Sequence, residues 1–89
     1  MLLKKSDIER ALERKLGCET QNLSHRVFLF SMNGRVVAKT HTSHGGDDDL
    51  GDFLIKNMAD QLGVPKRLFI ELVKCTKSRA DIEAVLRQS

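Results

Sequence analysis

The chain has 89 residues, a net charge of +3, and 40% hydrophobic and 30% charged residues, proportions that predict one small folded domain rather than a disordered segment. Its longest stretch without a charged residue, Val27 to Gly34, has eight residues, too few for a membrane-spanning helix. The start of the chain has no apolar segment typical of a signal peptide, and Cys18 and Cys75 form no disulfide framework. We therefore expect a cytoplasmic protein.

The basic residues are concentrated in the first half of the chain. Residues 1–46 carry eight Lys or Arg and four acids, whereas residues 47–89 carry seven and eight. No acid lies between Glu19 and Asp47, and this segment holds every histidine of the chain. An acid-free basic segment of this kind favours a phosphate-bearing ligand.

The first predicted element is a helix that begins at Ser6. Ser6 and Glu9 have the spacing of a capping box, and an apolar stripe follows at Ile8, Leu12 and Leu16. Gly17 is expected to end the helix. The opposite face, with Glu9, Arg10, Glu13 and Arg14, is expected to lie in solvent.

A β-hairpin follows, with the dipeptide Asn33-Gly34 at its turn. Asn-Gly tolerates positive φ at both central positions of a type I′ turn. A two-residue turn without irregularities pairs the following residues: Met32 with Arg35, Phe30 with Val37, Phe28 with Lys39, and Arg26 with His41. In this register His41 lies on the opposite sheet face from His25. A third strand is expected at Glu19–Leu23.

The two faces of the hairpin differ in bulk. The bulkier face is expected to pack on the helices and contains Phe28, Phe30, Met32 and Val37. The other face still carries Val27, Leu29 and Val36, which is too apolar for a fully hydrated surface and indicates a protein partner or a homodimer.

Three helices are predicted in the second half. The first has an N-cap among Asp47–Asp49, ends at Gly63, and has an apolar stripe of Leu50, Phe53, Leu54, Met58, Ala59 and Leu62. Pro65 begins the second helix, which buries Leu68, Phe69, Leu72 and Val73. Ser78 and Asp81 cap the third, with Ile82, Val85 and Leu86 inward. The order α-β-β(-β)-α-α-α predicts a single α+β domain over residues 1–89, with a two- or three-stranded antiparallel sheet and helices mainly on one face.

His25 is the residue best suited to chemistry. An imidazole takes up and releases protons near neutral pH, and could therefore act as general acid or base on an RNA 2′-hydroxyl. The expected phosphate contacts are Arg26, Arg35, Lys39, His41 and His44. No metal or other cofactor is expected, because His41 and His44 lack both helical spacing and a clear third ligand.

Two other functions are compatible with the sequence. Residues 58–74 have the spacing of a helix-turn-helix, which would place Lys66, Arg67 and Lys74 on DNA. Alternatively, the protein is a non-catalytic adaptor that binds another protein through Val27, Leu29 and Val36.

The segment Ser24-His25-Arg26-Val27-Phe28, followed by Asn33-Gly34, Val36-Val37 and a helix from Leu50 to Leu62, resembles the HicA family of small mRNA-interferase toxins. The resemblance covers about residues 5–73, with a family-like core in residues 1–62 and additional C-terminal helices in residues 63–89. It implies a double-stranded-RNA-binding-domain-like fold, ribonuclease activity, an RNA substrate and an antitoxin partner. Only the catalytic histidine carries over, onto His25. Leu23 stands where the family has Gly, and Arg26 replaces its second His.

Overall fold

The structure, a computed structural model, describes residues 2–42, 49–74 and 76–88. Its elements in chain order are β1 (Leu3–Lys4), α1 (Lys5–Arg10), a π-helical segment (Ala11–Lys15), β2 (Glu19–Asn22), β3 (Arg26–Met32), β4 (Arg35–Thr42), β5 (Asp49–Leu50), α2 (Asp52–Leu62), α3 (Lys66–Val73) and α4 (Arg79–Arg87). One antiparallel sheet has the order β2-β3-β4, and β1 pairs with β5 in a second. The predicted α+β class and third strand are confirmed.

The beginning of α1 differs from the prediction. The N-cap is Lys4, and its side chain makes no capping hydrogen bond, so the predicted Ser6–Glu9 capping box is wrong. Because Leu3 and Lys4 pair with β5, the chain leaves a strand and enters the helix one residue before Ser6. Gly17 does adopt the left-handed conformation expected where the helix ends, with φ +66°.

The turn of the β3–β4 hairpin is as predicted, but its register is not. Asn33 and Gly34 both have positive φ, 53° and 78°. Beyond them the pairing shifts by one residue, because Ser31 faces Val36 while Phe30 faces Ala38, which makes Val37 the extra residue of a β-bulge. Val37 is accordingly 51% exposed, which corrects its predicted place in the core.

The shift reverses the faces of β4 beyond the bulge, since side chains alternate along a strand. Thr40 and Thr42 now lie opposite Phe28 and Arg26 and are buried, whereas Lys39 and His41 lie opposite Leu29 and Val27. The predicted register would have placed the Lys39 ammonium against the buried Phe28, a costly arrangement that the bulge avoids.

The buried face of α2 agrees with the prediction at Met58, Ala59 and Leu62 but differs in the first turns of the helix, and Leu50 lies in β5. Ile55, Met58, Ala59 and Leu62 are buried, while Phe53 is 77% exposed and Leu54 is also exposed. The N-cap is Gly51, and Asp49 pairs with Lys4 in the small sheet instead of capping the helix. Asp47 and Asp48 lie outside the described residues.

The last two helices agree with the sequence except at the beginning of α3, where Pro65 is the N-cap and the helix begins at Lys66. In α3 Phe69, Leu72 and Val73 are buried. Ser78 and Asp81 form the predicted capping box of α4, which buries Ile82. Gly63 follows α2 in the left-handed conformation and packs closely against α4. A Cβ at this position would lie 3.1 Å from Leu86 Cδ2.

Arg79 fastens α4 to the rest of the domain. Its guanidinium lies 4.8 Å from the centroid of the Phe30 ring and donates hydrogen bonds to the carbonyl oxygens of Leu16 and Ser31, the latter at 2.7 Å. It also pairs with Glu83 at 2.5 Å. A single side chain thus connects the end of the π-helical segment, β3 and α4. In the described ranges, no helix has the length and apolar character needed to cross a bilayer.

Candidate functional site

Two histidines meet at one end of the three-stranded sheet. The ring centroids of His25 and His41 are 5.1 Å apart, with the ring planes inclined by 39°, and both residues are exposed. This corrects the predicted placement of His41 on the opposite face from His25. The cause is the bulge at Val37, because it moves His41 opposite Val27, which lies two residues after His25.

The backbone around His25 is a tight hairpin loop. Asn22 pairs with Arg26, so Leu23, Ser24 and His25 form a three-residue connection between β2 and β3. The Leu23 N–H donates to the His25 carbonyl oxygen at 3.0 Å. His25 therefore lies in a short closed loop at the end of the sheet, where β2 connects to β3, rather than within a strand.

Glu9 of α1 holds the strand residues that follow the two histidines. Its Oε1 lies 2.8 Å from Arg26 Nη1, and its Oε2 accepts a 2.6 Å hydrogen bond from Thr42 Oγ1. The Glu9 side chain is only 13% exposed, which corrects its predicted place on a solvated face. We call these three residues the Glu9 clamp.

Two clefts share the histidine pair. One encloses about 240 Å³ between the sheet and α2, lined by His25, His41 and Thr42, by Leu50, and by Leu54, Asn57, Met58 and Gln61. The other lies beside it and is bordered by Leu23, Ser24, Val27, Lys39 and Thr40 as well as by the histidines and Gln61. Gln61 is held in place because Thr40 Oγ1 donates to its Oε1 at 2.6 Å.

The predicted phosphate-binding residues are only partly brought together. Lys39 is exposed and borders the second cleft with both histidines. Arg26 faces the helices and is paired with Glu9, so its guanidinium is committed to the fold. Arg35 is exposed at the hairpin turn, six residues from His41 along β4 and so about 20 Å away. His44 lies outside the described residues.

The remaining predicted features lie away from the histidines. The DNA-binding alternative depends on Lys66, Arg67 and Lys74. Lys66 pairs with Asp52 at 3.1 Å, and this hydrogen bond lowers the pKa of the Asp52 carboxyl, whereas Arg67 and Lys74 are exposed. On the outer face of the sheet Val36 is exposed, and Val27 and Leu29 are half-buried. The partner surface expected there stays a prediction.

Cys18 is a core residue without catalytic character. It is buried, and burial raises the pKa of its thiol to about 11, so the thiol is protonated at neutral pH. Cys75 falls outside the described part of the chain. Among the residues that the structure does describe, no three His, Cys, Asp or Glu side chains are grouped as a metal site.

Sequence reasoning missed three residues that shape the site: Glu9, Asn57 and Gln61. Asn57 and Gln61 are four residues apart and therefore share one face of α2, a spacing that is visible in the sequence. Their relation to the histidines depends on how α2 packs beside β4, which no local pattern indicates. The chain matches no protein-family model, no curated protein and no solved structure.

Proposed function

We propose that this protein is a small cytoplasmic RNA-directed protein that cleaves RNA without a metal ion, using His25 and His41 as an acid–base pair. The observation that carries the proposal is the exposed pair of imidazoles, 5.1 Å apart between ring centroids, at the mouth of two clefts. A HicA-like role as an mRNA-interferase toxin would agree with this chemistry, and α1, the strands β2 to β4 and α2 follow one another in the order that the resemblance implies, with β1 and β5 in addition.

The chemistry needs two proton-transfer groups that reach one phosphodiester, one at the 2′-hydroxyl and the other at the departing 5′-oxygen. The neutral imidazole of the pair removes the proton from the 2′-hydroxyl, whose oxygen attacks the adjacent phosphorus. The protonated imidazole donates its proton to the departing 5′-oxygen as the P–O bond breaks. The products are a 2′,3′-cyclic phosphate and a free 5′-hydroxyl, and no atom is oxidised or reduced.

Lys39 supplies the positive charge that this reaction requires. Negative charge develops on the non-bridging phosphate oxygens in the transition state, and a fixed cation nearby stabilises it. Among the predicted Lys and Arg side chains, Lys39 borders the same cleft as both histidines. We therefore assign phosphate binding to Lys39, and not to Arg26, whose charge Glu9 neutralises.

Cleavage of RNA in the presence of EDTA tests the proposal. The purified protein should cut single-stranded RNA, leave cyclic-phosphate ends, and leave DNA of the same sequence intact because it has no 2′-hydroxyl. The variants His25→Gln and His41→Gln should each lose at least 100-fold in rate, since general acid–base catalysis contributes about that much or more. The rate should pass through a maximum with pH, because one ring must be neutral and the other protonated.

The matched control is Lys74→Gln, which removes an exposed cation at the end of α3 and should leave the rate unchanged. Lys39→Gln should weaken RNA binding and reduce its dependence on salt, because one fewer counterion is released. Absence of cleavage by the wild-type protein, or cleavage at the wild-type rate by folded His25→Gln, would contradict the enzymatic function. Loss of RNA binding in Lys74→Gln but not in Lys39→Gln would favour the helix-turn-helix surface instead.

A further inference from the structure

The cleft between the histidines and α2 has two kinds of wall. Three of the residues that line it are apolar: Leu50, Leu54 and the buried Met58. Asn57 and Gln61 place two amides along the same helix face. A cleft lined by apolar side chains together with a few polar groups suits a ring with polar edges, whereas a phosphate alone gains nothing from apolar contacts.

Gln61 has a defined orientation in this cleft. Its Oε1 accepts the hydrogen bond from Thr40, which fixes the oxygen towards β4 and leaves the NH₂ group as a donor on the other side of the amide. Asn57 carries both a donor and an acceptor on one amide. Together the two side chains offer amide NH₂ donors and a carbonyl acceptor among the residues that line the cleft. Nucleobases in RNA are recognised through hydrogen bonds of this kind to their exposed edges, combined with contacts to their flat faces.

We infer that this cleft is a nucleobase pocket, which takes the base of the nucleotide beside the phosphate bound at His25 and His41. Asn57 is the residue that determines base preference, and Leu54 and Met58 contact the ring faces. The inference rests on the proposed function for the position of the phosphate, since the same two histidines line the cleft. It adds the binding of a base, which the acid–base chemistry does not require.

Titration with small ligands, followed by NMR of the backbone amides and histidine rings, separates the two claims. The probes are the four nucleoside 3′-monophosphates and ribose 5-phosphate, which has a phosphate and a sugar but no base. All five should shift the signals of His25, His41 and Lys39. Only the nucleotides should shift Leu54, Asn57 and Met58, and they should differ among themselves in affinity.

The variant Asn57→Ala should weaken the preferred nucleotide about tenfold, a typical effect for loss of a base-edge contact, and should leave ribose 5-phosphate binding unchanged. The control is Lys56→Ala, the adjacent α2 residue, which pairs with Asp60 in solvent. Met58 is buried in the core, so its replacement by Ala would also change the stability of the fold.

The outcomes are distinct. If nucleotides and ribose 5-phosphate shift the same residues with equal affinity, the nucleobase pocket is refuted while the phosphate site stands. If the nucleotides shift Asn57 but ribose 5-phosphate leaves both histidines unaffected, the pocket stands and the proposed catalytic site is in error. If no nucleotide shifts Asn57 or its neighbours, the inference is overturned.

Discussion

Replacement of Glu9 by Gln tests whether the Glu9 clamp holds the two histidine-bearing segments together. Gln has the shape of Glu but lacks its charge and offers one acceptor in place of two. In the native arrangement one oxygen faces Arg26 at 2.8 Å and the other faces Thr42 at 2.6 Å, and both partners are donors. The amide oxygen of Gln can accept from Arg26 while its NH₂ group faces Thr42, whose hydroxyl can accept from that group but loses the acceptor for its own proton.

The magnitude follows from these contacts. A hydrogen bond to a charged group is worth about 1.5–3 kcal/mol, and a buried donor without an acceptor costs about 1–3 kcal/mol. The Arg26 side chain is 38% exposed, and solvent therefore moderates that part of the loss. We expect Glu9→Gln to lower the free energy of unfolding by about 2–3 kcal/mol. For a domain of this size that corresponds to a fall in Tm of about 10–20 °C.

Chemical denaturation of Glu9→Gln and Glu13→Gln provides the assay. Glu13 is on the following helical turn, is exposed, and only accepts a 3.4 Å bond from Thr20, so Glu13→Gln should change stability by less than about 0.5 kcal/mol. NMR contacts between the rings of His25 and His41 should weaken in the first variant and persist in the second. Equal stabilities of the two variants would refute the clamp.

Three further predictions concern the core and its attachments. Arg79→Met should lower the free energy of unfolding by about 3 kcal/mol, because two backbone carbonyls lose a donor and Glu83 loses one of its two arginine partners. The control Arg87→Met removes the other partner of Glu83, which is 64% exposed, and should cost less than about 1 kcal/mol. Equal effects of Arg79→Met and Arg87→Met would contradict the role of Arg79 in holding α4. Ile55→Ala should lower the free energy of unfolding by about 2–5 kcal/mol, because it leaves a cavity in the core. Phe53→Ala changes an exposed residue and should cost less than about 0.5 kcal/mol. The reverse order of stability in thermal melts would contradict the observed orientation of α2. The raised pKa of Cys18 means that the folded thiol stays protonated while the unfolded thiol ionises, so this contribution to stability is complete below about pH 9 and is lost between about pH 9 and 11. The variant Cys18→Ala has no thiol at this position, so its stability should fall less than that of the wild type between about pH 9 and 11. Identical falls in the two proteins would show that Cys18 does not titrate as described.

The sequence specified those elements whose signals are local. Asn33-Gly34 predicted its turn because positive φ is a property of those two residues and needs no tertiary context. The capping box of Ser78 and Asp81 formed because both halves lie within one helical turn. The same motif failed at Ser6 and Glu9, where the pairing of Lys4 with Asp49, 45 residues away, sets the beginning of the helix.

The tertiary structure decided which side chains meet. His25 was identified as a candidate because of its residue type and neighbours, but its partner His41 came into contact only through the bulge at Val37, which has no strong sequence signal. The choice of Ile55 over Phe53 for the core likewise depends on how α2 lies beside β4. Local patterns fix what a segment can become, because they reflect backbone conformation and hydrogen bonds between near neighbours. The register of a strand and the rotation of a helix are fixed by the free energy of packing distant segments together. The histidine pair and its clefts therefore form only in the folded chain and could not be predicted from local patterns.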